Sequence, residues 1–299
     1  MIVDDNERIL ITGGCGFLGR YLIKGLLEKY RNIEIITLSR NENNVMKTIT
    51  LCNDERLRPI IGDIKDIDSV KYALKDVDTV MHLAAMKHID LCEANPSEAI
   101  NINVNGTKNL LDNFKGKKFI AMSTDKAVEP LGCYGATKLL MEKLVLERAR
   151  SDSSRKYSIV RSGNIFGSSG SVIEKWQQQI KNNNNRITIT DPEMTRFFTN
   201  VDSLVRFMIG VFENSESEKI YIPYQKVIKL KDLACCVIDL FGDANTKIEV
   251  MGLRKGERPD EKLFFDGEKV VTDLNIGYSR DADMMSLEEI KGLLNSMQS

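Results

Sequence analysis

The chain has 299 residues, with 42 Lys and Arg against 43 Asp and Glu and a formal charge of -1. That balance excludes a global field able to recruit nucleic acid or an anionic membrane surface, so an anionic ligand must meet local arginines. The length suffices for about two domains or one large α/β unit burying roughly three quarters of its unfolded surface, which allows both a core and a cleft.

The segment from Met1 to Arg8 is polar and acidic, without an apolar signal core, and no apolar run is long enough to cross a bilayer. A soluble, cytoplasmic protein with no membrane insertion is expected. The six cysteines, including the vicinal Cys235 and Cys236, lack the spacing of a zinc site or redox motif. They read as buried thiols in a reducing compartment, with no metal.

Short strand-like runs then alternate with longer helical patterns. Arg8 to Thr12 reads as a first strand, Phe17 to Tyr30 as a helix, Ile33 to Leu38 as a second strand and Leu57 to Ile61 as a third. Val80 to Leu83, Phe119 to Met122 and Ser158 to Val160 continue the strands; Ser69 to Leu74, Pro96 to Phe114 and Leu139 to Arg150 supply helices. This order predicts an α/β fold, a Rossmann-like doubly wound parallel sheet with its function at the carboxyl ends of the strands. After Asn164 the rhythm loosens. Val172 to Ile180 reads as a helix, the asparagine run 182–185 as an exposed loop and Ile187 to Thr190 as a strand. Ser203 to Phe212, Leu230 to Phe241 and Leu287 to Leu294 read as further helices, and no internal repeat is visible.

The first chemical motif runs from Thr12 to Gly19, with Gly13, Gly16 and Gly19 at three-residue spacing between a predicted strand and helix, and Phe17 and Leu18 opening that helix. Without side chains the backbone can approach a pyrophosphate, whose charge meets the helix amides. At the end of the second strand stands Ser39-Arg40 rather than an acidic residue. A hydroxyl beside a guanidinium suits a 2′-phosphate and so favours NADP, with a solvent-facing Arg40 as the alternative. Asp63, before Ile64, is suited either to the adenine amino group or to capping a turn. Leu83, Ala84 and Ala85 let a cofactor lie flat on the backbone, and Lys87 points to its ribose or to the substrate. His88 has no second ligand nearby in sequence, so a metal is not expected.

Downstream, Ser123-Thr124-Asp125-Lys126 is followed within one proline-punctuated loop by Tyr134-Gly135-Ala136-Thr137-Lys138. Tyr134 and Lys138 lie one helical turn apart and share a face, where the lysine favours the tyrosinate electrostatically. This density of proton-handling groups points to an enzyme, although Asp125 and Lys126 are also suited to a plain local ion pair.

Across residues 8 to 265 the chain resembles the extended short-chain dehydrogenase/reductases and, more narrowly, the inverting UDP-N-acetylglucosamine 4,6-dehydratases. The resemblance rests on TGGCGFLG, GDI, LAAMKH, INVNGT, STDKAVEP, YGATK, RSGNIFGSSGSV, TDPEMTRF and GLRKGE. It implies a Rossmann domain over 1–164 with a return segment near 197–222, and a smaller C-terminal substrate-binding domain from 165–196 and 223–299. It also implies NADP retained through the catalytic cycle, UDP-N-acetylglucosamine as substrate and a homo-oligomer. Asn103 joins the expected cofactor contacts, and Met86, Lys87, Asn164, Val172, Arg196, Arg254 and Glu257 the expected substrate contacts. Val172 also suits a plain core position; Arg196 and Arg254 are suited to bind the diphosphate bidentately.

Retaining dehydratases of this resemblance carry Asp-Glu where this chain has Asp125-Lys126. The implied mechanism begins with Tyr134, supported by Lys138 and Thr124, taking the C4 hydroxyl proton as hydride leaves C4. Lys126 then removes the acidified C5 proton while Asp125 protonates the departing C6 hydroxyl, and hydride returns to C6 with inversion at C5. Lys126 needs its proton affinity lowered by about three pH units for that task. Gly132, Glu174 and Lys255 depart from the resemblance, replacing an asparagine and two prolines. A UDP-sugar 4-epimerase and a nonenzymatic NADP-dependent sensor are the alternative expectations.

Overall fold

The computed structural model describes residues 6–182, 186–254, 256–265, 267–274 and 277–297. Lys255 and the asparagines 183–185 therefore lie outside the described residues, and so do the expectations placed on them.

Strands β1 (Glu7–Thr12), β2 (Ile33–Ser39), β3 (Leu57–Ile61), β4 (Thr79–His82), β5 (Lys118–Thr124) and β6 (Lys156–Ser162) alternate with helices α1 (Phe17–Lys29), α2 (Glu42–Cys52), α3 (Ile67–Ala73), α4 (Ile89–Ala94), α5 (Pro96–Ile100), α6 (Gly106–Asn113) and α7 (Cys133–Ser151). A π-helical turn, Asn101–Asn105, joins α5 to α6, so the helix expected over Pro96 to Phe114 is interrupted in the middle. The chain continues through β7 (Asn164–Ile165), α8 (Val172–Lys181), β8 (Arg186–Ile189), β9 (Thr195–Thr199), α9 (Val201–Asn214), β10 (Lys219–Ile222), β11 (Lys226–Lys229), α10 (Leu230–Phe241), β12 (Lys247–Val250), β13 (Val270–Thr272) and α11 (Leu287–Ser296).

The main sheet has eight strands in the order β13-β10-β6-β5-β4-β1-β2-β3, all parallel. Side chains alternate across a strand, and this sequence uses both faces for burial. Ile9, Ile11 and Ile35 enter one core with Leu22, Ile23 and Leu26 of α1 and Leu204, Val205 and Met208 of α9. Leu10, Ile36 and Leu38 enter the opposite core with Val70, Leu110, Met141 and Val145. Helices thus cover both faces of a doubly wound sheet, as the strand–helix rhythm predicts.

A third core, around Trp176, Ile187, Phe198, Leu233 and Val237, belongs to the smaller lobe. There Trp176 is fully buried, and its indole N–H donates to the Thr188 carbonyl at 2.7 Å. The lobe carries a three-stranded sheet, β11-β9-β7, and the pair β12-β8. Val270–Thr272 runs against the expected division: it pairs in parallel with β10 and adds an edge strand to the main sheet. Three residues without period-2 patterning give no strand signal, because what fixes this segment is its distant partner.

One buried contact secures that edge. Arg161 on β6 is wholly buried, its guanidinium bonded to Glu142 of α7 at 3.0 and 2.6 Å. It also bonds Glu268 at 2.8 and 3.1 Å and the Leu263 carbonyl at 2.8 Å. Two carboxylates satisfy a charge that burial would otherwise make very costly.

Among the described residues no helix is long and apolar enough to cross a membrane. Cys15, Cys92 and Cys236 are buried, whereas Cys235 is exposed and so departs from the buried-thiol expectation.

Candidate active site

The glycine loop between β1 and α1 is set by backbone proximity. Gly13 has φ +69, in the region that favours glycine, and a Cβ there would stand 2.8 Å from the Ala84 amide nitrogen. At Gly19 a Cβ would lie 2.5 Å from Gly14 Cα. Helix α1 starts at Phe17 and Leu18 with no side-chain cap and no acidic residue in its first turn. Its amide dipoles therefore face an anion unopposed. The residues present fit a dinucleotide pyrophosphate at this loop.

Arg40, just beyond β2, has a half-exposed guanidinium 3.6 Å from Asp63. Asp63 also closes its own turn by accepting from the Lys65 amide at 3.0 Å, which matches the cap expected as its alternative. Ile64 is buried beneath Gly106, where a Cβ would come within 2.7 Å of it. It acts as a floor for α6. After β4, the Leu83 and Ala84 amides bond the Thr12 carbonyl and hydroxyl at 3.0 and 3.4 Å, while Ala85 is half-buried beside them.

Asn103 lies on the π-helical turn with both faces of its amide engaged. It accepts from the Met86 amide at 2.8 Å and donates to the Met86 carbonyl and to Thr137 Oγ1, each at 3.0 Å. Its site is therefore a brace between the loop after β4 and the first turns of α7. The nearby His82 bonds Thr12 at 2.6 Å and Thr107 at 2.9 Å. Burial, then the charge of Lys138, pulls its pKa down to about 3, so it is a neutral structural link. Lys87 crosses to the Ser169 carbonyl at 2.9 Å.

The acid–base groups converge where β5 ends. Thr124 closes the strand and Asp125–Ala127 form one 3-10 turn. The first turn of α7 packs directly on it: a Cβ at Gly135 would collide with the Lys126 carbonyl oxygen. Glycine at 135 thereby brings Tyr134 beside Lys126. Gly132 itself supplies no cap to α7; the Cys133 amide instead donates to the Glu93 carboxylate from α4. A Cβ at Gly132 would stand 2.6 Å from that carboxylate oxygen, so the missing asparagine is replaced by a neighbour that occupies its space.

Lys126 Nζ lies 3.0 Å from Asp125 Oδ1 and 3.5 Å from Glu261 Oε1. Thr124 donates its hydroxyl to Asp125 Oδ1 at 2.8 Å. Burial pulls the Lys126 pKa down, but the carboxylates of Asp125 and Glu261 outweigh it and the net direction is up. This is opposite to the lowered proton affinity expected from sequence. The physical reason is first the Asp125 carboxylate, in the ion pair that is the plainer expectation, and then a second carboxylate, Glu261, arriving from 135 residues downstream of Lys126.

Burial pushes the Tyr134 phenol up to about 12, against an opposing pull from the Lys126 charge and the Thr124 hydroxyl. Lys138 is buried, its pKa drawn down to about 8 by burial against the field of Glu142. Its amine donates to the Met122 carbonyl at 2.6 Å. Lys126 is thus a cation whose charge eases ionisation of Tyr134, beside the Lys138 that the spacing on α7 points to.

The remaining wall is an irregular strap after β12. A cleft is lined by Lys126, Tyr134, Gly132 and Gly256 together with Arg258 and Glu261 of this strap. Arg196, on β9, spends its guanidinium on the Thr195, Pro259 and Arg258 carbonyls at 2.8, 2.9 and 2.8 Å and lies 3.6 Å from Glu261. It holds the strap, contrary to a free diphosphate contact. Arg254 is more open, 3.5 Å from exposed Asp90. Glu257 accepts from the Arg254 amide at 3.1 Å and so closes its own loop.

Asn164 donates to the Phe197 carbonyl at 3.2 Å, and Val172 packs on the smaller lobe's core, as its plainer reading has it. Glu174 accepts from the Gly170 amide at 2.6 Å, which gives this departure a capping task. Among the described residues no cluster of His, Cys, Asp or Glu is arranged to hold a metal. Arg258 and Glu261 belong to no motif legible in the sequence; their one signal is charge density in an otherwise unpatterned stretch after GLRKGE.

Residues 9–279 match the profile of the polysaccharide biosynthesis protein family. The chain belongs to this family. It is 36% identical to a UDP-N-acetylglucosamine 4,6-dehydratase (inverting) of Campylobacter jejuni, over 90% of this chain and 80% of that protein. It is 34% identical to a UDP-glucose 4-epimerase of Rickettsia rickettsii, over 98% and 96% of the two chains. The crystal structure of Pen from Bacillus thuringiensis superposes with a TM-score of 0.89 at 31% identity, covering 98% of each chain.

Proposed function

We propose that the chain is a nucleotide-sugar-modifying enzyme that dehydrates UDP-N-acetylglucosamine across C5 and C6 with inversion at C5. The observation that carries this reading is the Asp125–Lys126 pair, 3.0 Å apart at the end of β5, in the cleft that Tyr134 lines. The similarity to the inverting dehydratase of C. jejuni supports it.

A nicotinamide dinucleotide, the group suited to the glycine loop, would accept hydride from C4 and return it to the sugar. Gly13, Gly16, Phe17, Leu18 and Gly19 would hold its pyrophosphate. Ser39 and Arg40 favour NADP over NAD, because a guanidinium at the end of β2 complements a 2′-phosphate. Tyr134 takes the C4 hydroxyl proton, its ionisation eased by the neighbouring Thr124 hydroxyl and the Lys126 charge. The resulting ketone acidifies the C5 hydrogen. Lys126 removes it, and Asp125 protonates the leaving C6 hydroxyl. One proton transfer within the ion pair, from ammonium to carboxylate, creates that base and that acid together. Arg254 and Arg258 are the cations offered to the diphosphate from the strap.

The test is incubation of the chain and NADP with UDP-N-acetylglucosamine in deuterated water, read by mass and proton couplings. Loss of one water, deuterium at C5 and an L-configured ring are expected. Lys126→Ala should cut water loss by about 10²-fold or more, and should slow oxidation of C4 by much less, because Tyr134 and the dinucleotide remain. Release of an epimer of unchanged mass, with no loss of water and no deuterium at C5, would instead establish the epimerase suggested by the R. rickettsii relative.

A further inference from the structure

Glu261 is almost wholly buried, yet its Oε2 has no hydrogen-bond partner, and neither does the buried Oδ2 of Asp125. A buried carboxylate left half satisfied is costly and calls for an explanation. Its position supplies one. Glu261 Oε1 lies 3.5 Å from Lys126 and 3.6 Å from Arg196, and Oε2 lies 3.8 Å from Arg258. The Lys126 amine is thus held between Asp125 on its own turn and Glu261 on the strap, with Tyr134 of α7 and Arg196 of β9 as the other charged or titratable groups acting on it.

We propose that Glu261 is a positioning residue: with Asp125 it holds Lys126 as an ammonium beside Tyr134, so that the amine supports removal of the C4 hydroxyl proton before it serves the elimination. This rests on the dehydratase reading for the second task and on contacts within the chain for the first. The two tasks need opposite charge states of one nitrogen. A cation next to Tyr134 eases ionisation of the phenol, whereas abstraction from C5 needs a free amine. Asp125 alone would make the ammonium its only counter-ion contact while Arg196 pushes the other way. Glu261 balances that arginine and Arg258, and its field reaches Lys126 directly.

The experiment is competitive acetylation of the full chain with acetic anhydride at several pH values, read by peptide mass spectrometry, with exposed Lys47 as internal reference. Glu261→Gln removes the charge and keeps the shape. It should raise the labelling rate of Lys126 relative to Lys47 by about tenfold near neutral pH, the effect of lowering its proton affinity by about one pH unit. Glu261→Asp should stay near the wild type. In parallel, the acid limb of nicotinamide reduction with UDP-N-acetylglucosamine should move to higher pH in Glu261→Gln, because Tyr134 loses part of its cation. A purely structural role would lower rates without moving either profile. Unchanged or slower labelling of Lys126 in Glu261→Gln overturns the proposal. If the wild type removes no water from the sugar, the dehydratase reading falls while the labelling still decides whether Glu261 sets the charge of Lys126.

Discussion

The glycine loop after β1 meets the end of β4 through backbone atoms and absent side chains, whereas the acid–base half of the site is assembled from charged side chains on separate segments. Asp125 and Lys126 come from the turn after β5, Tyr134 from α7, Arg196 from β9 and Arg258 and Glu261 from the strap. The first half is specified by local spacing and is sterically unforgiving. The second is specified by tertiary convergence and is tuned by charge.

Substitutions that disturb one half and spare the other test this contrast. Gly19→Val is expected to have the largest effect, because its branched side chain would press on Gly14 backbone that has nowhere to move. A loss of about 4 kcal/mol in denaturant unfolding and of dinucleotide binding is expected. Binding at wild-type strength would break the comparison.

Lys138 gives a smaller, pH-dependent effect. Its pKa falls from an ordinary 10.5 to about 8 in the fold. Between those values the unfolded chain binds more protons, so stability rises with pH. The contribution is complete above 10.5 and is lost as pH falls through 8, about 3 kcal/mol in all. Unfolding free energies measured across that window should show a shallower rise in Lys138→Met than in the wild type. Equal slopes would mean that the amine is not held in a desolvated site.

The mildest change is Arg40→Ala, which removes a half-exposed guanidinium from the rim of the glycine-loop half. The proposed preference for NADP over NAD, measured as a ratio of dissociation constants, should fall about tenfold. No change in the ratio would leave Arg40 as a partner of Asp63 alone.

The same contrast explains what the sequence makes legible. Strands β1, β2 and β3 emerge from apolar runs whose alternate residues enter two cores, and the glycine loop from spacing between a strand and a helix, both local signals. Helix α2, with only Val45 and Thr48 buried, offers too narrow an apolar stripe to be noticed. The π-helical turn has helical composition, and what distinguishes it is Asn103 reaching Met86 and Thr137. Tyr134, Lys138, Asp125 and Lys126 are visible because they sit close together in sequence. Glu261 is not, and it is one of the two carboxylates that hold the proton on Lys126. Arg196 was read as a ligand for phosphate because a guanidinium in a motif shows its charge but not the three carbonyls waiting for it.

The guanidinium of Arg161 has a mechanical consequence for the strap that carries Glu261. By fastening Leu263 and Glu268 to α7 through Glu142, it pins the downstream end of that segment to the sheet. Freeing it would strand a buried charge at a cost of ~3–5 kcal/mol. The two ends of the segment are therefore held differently, by a buried ion-pair network downstream and, upstream, by bends at Gly252 and Gly256, whose φ values are positive at 84 and 82 degrees.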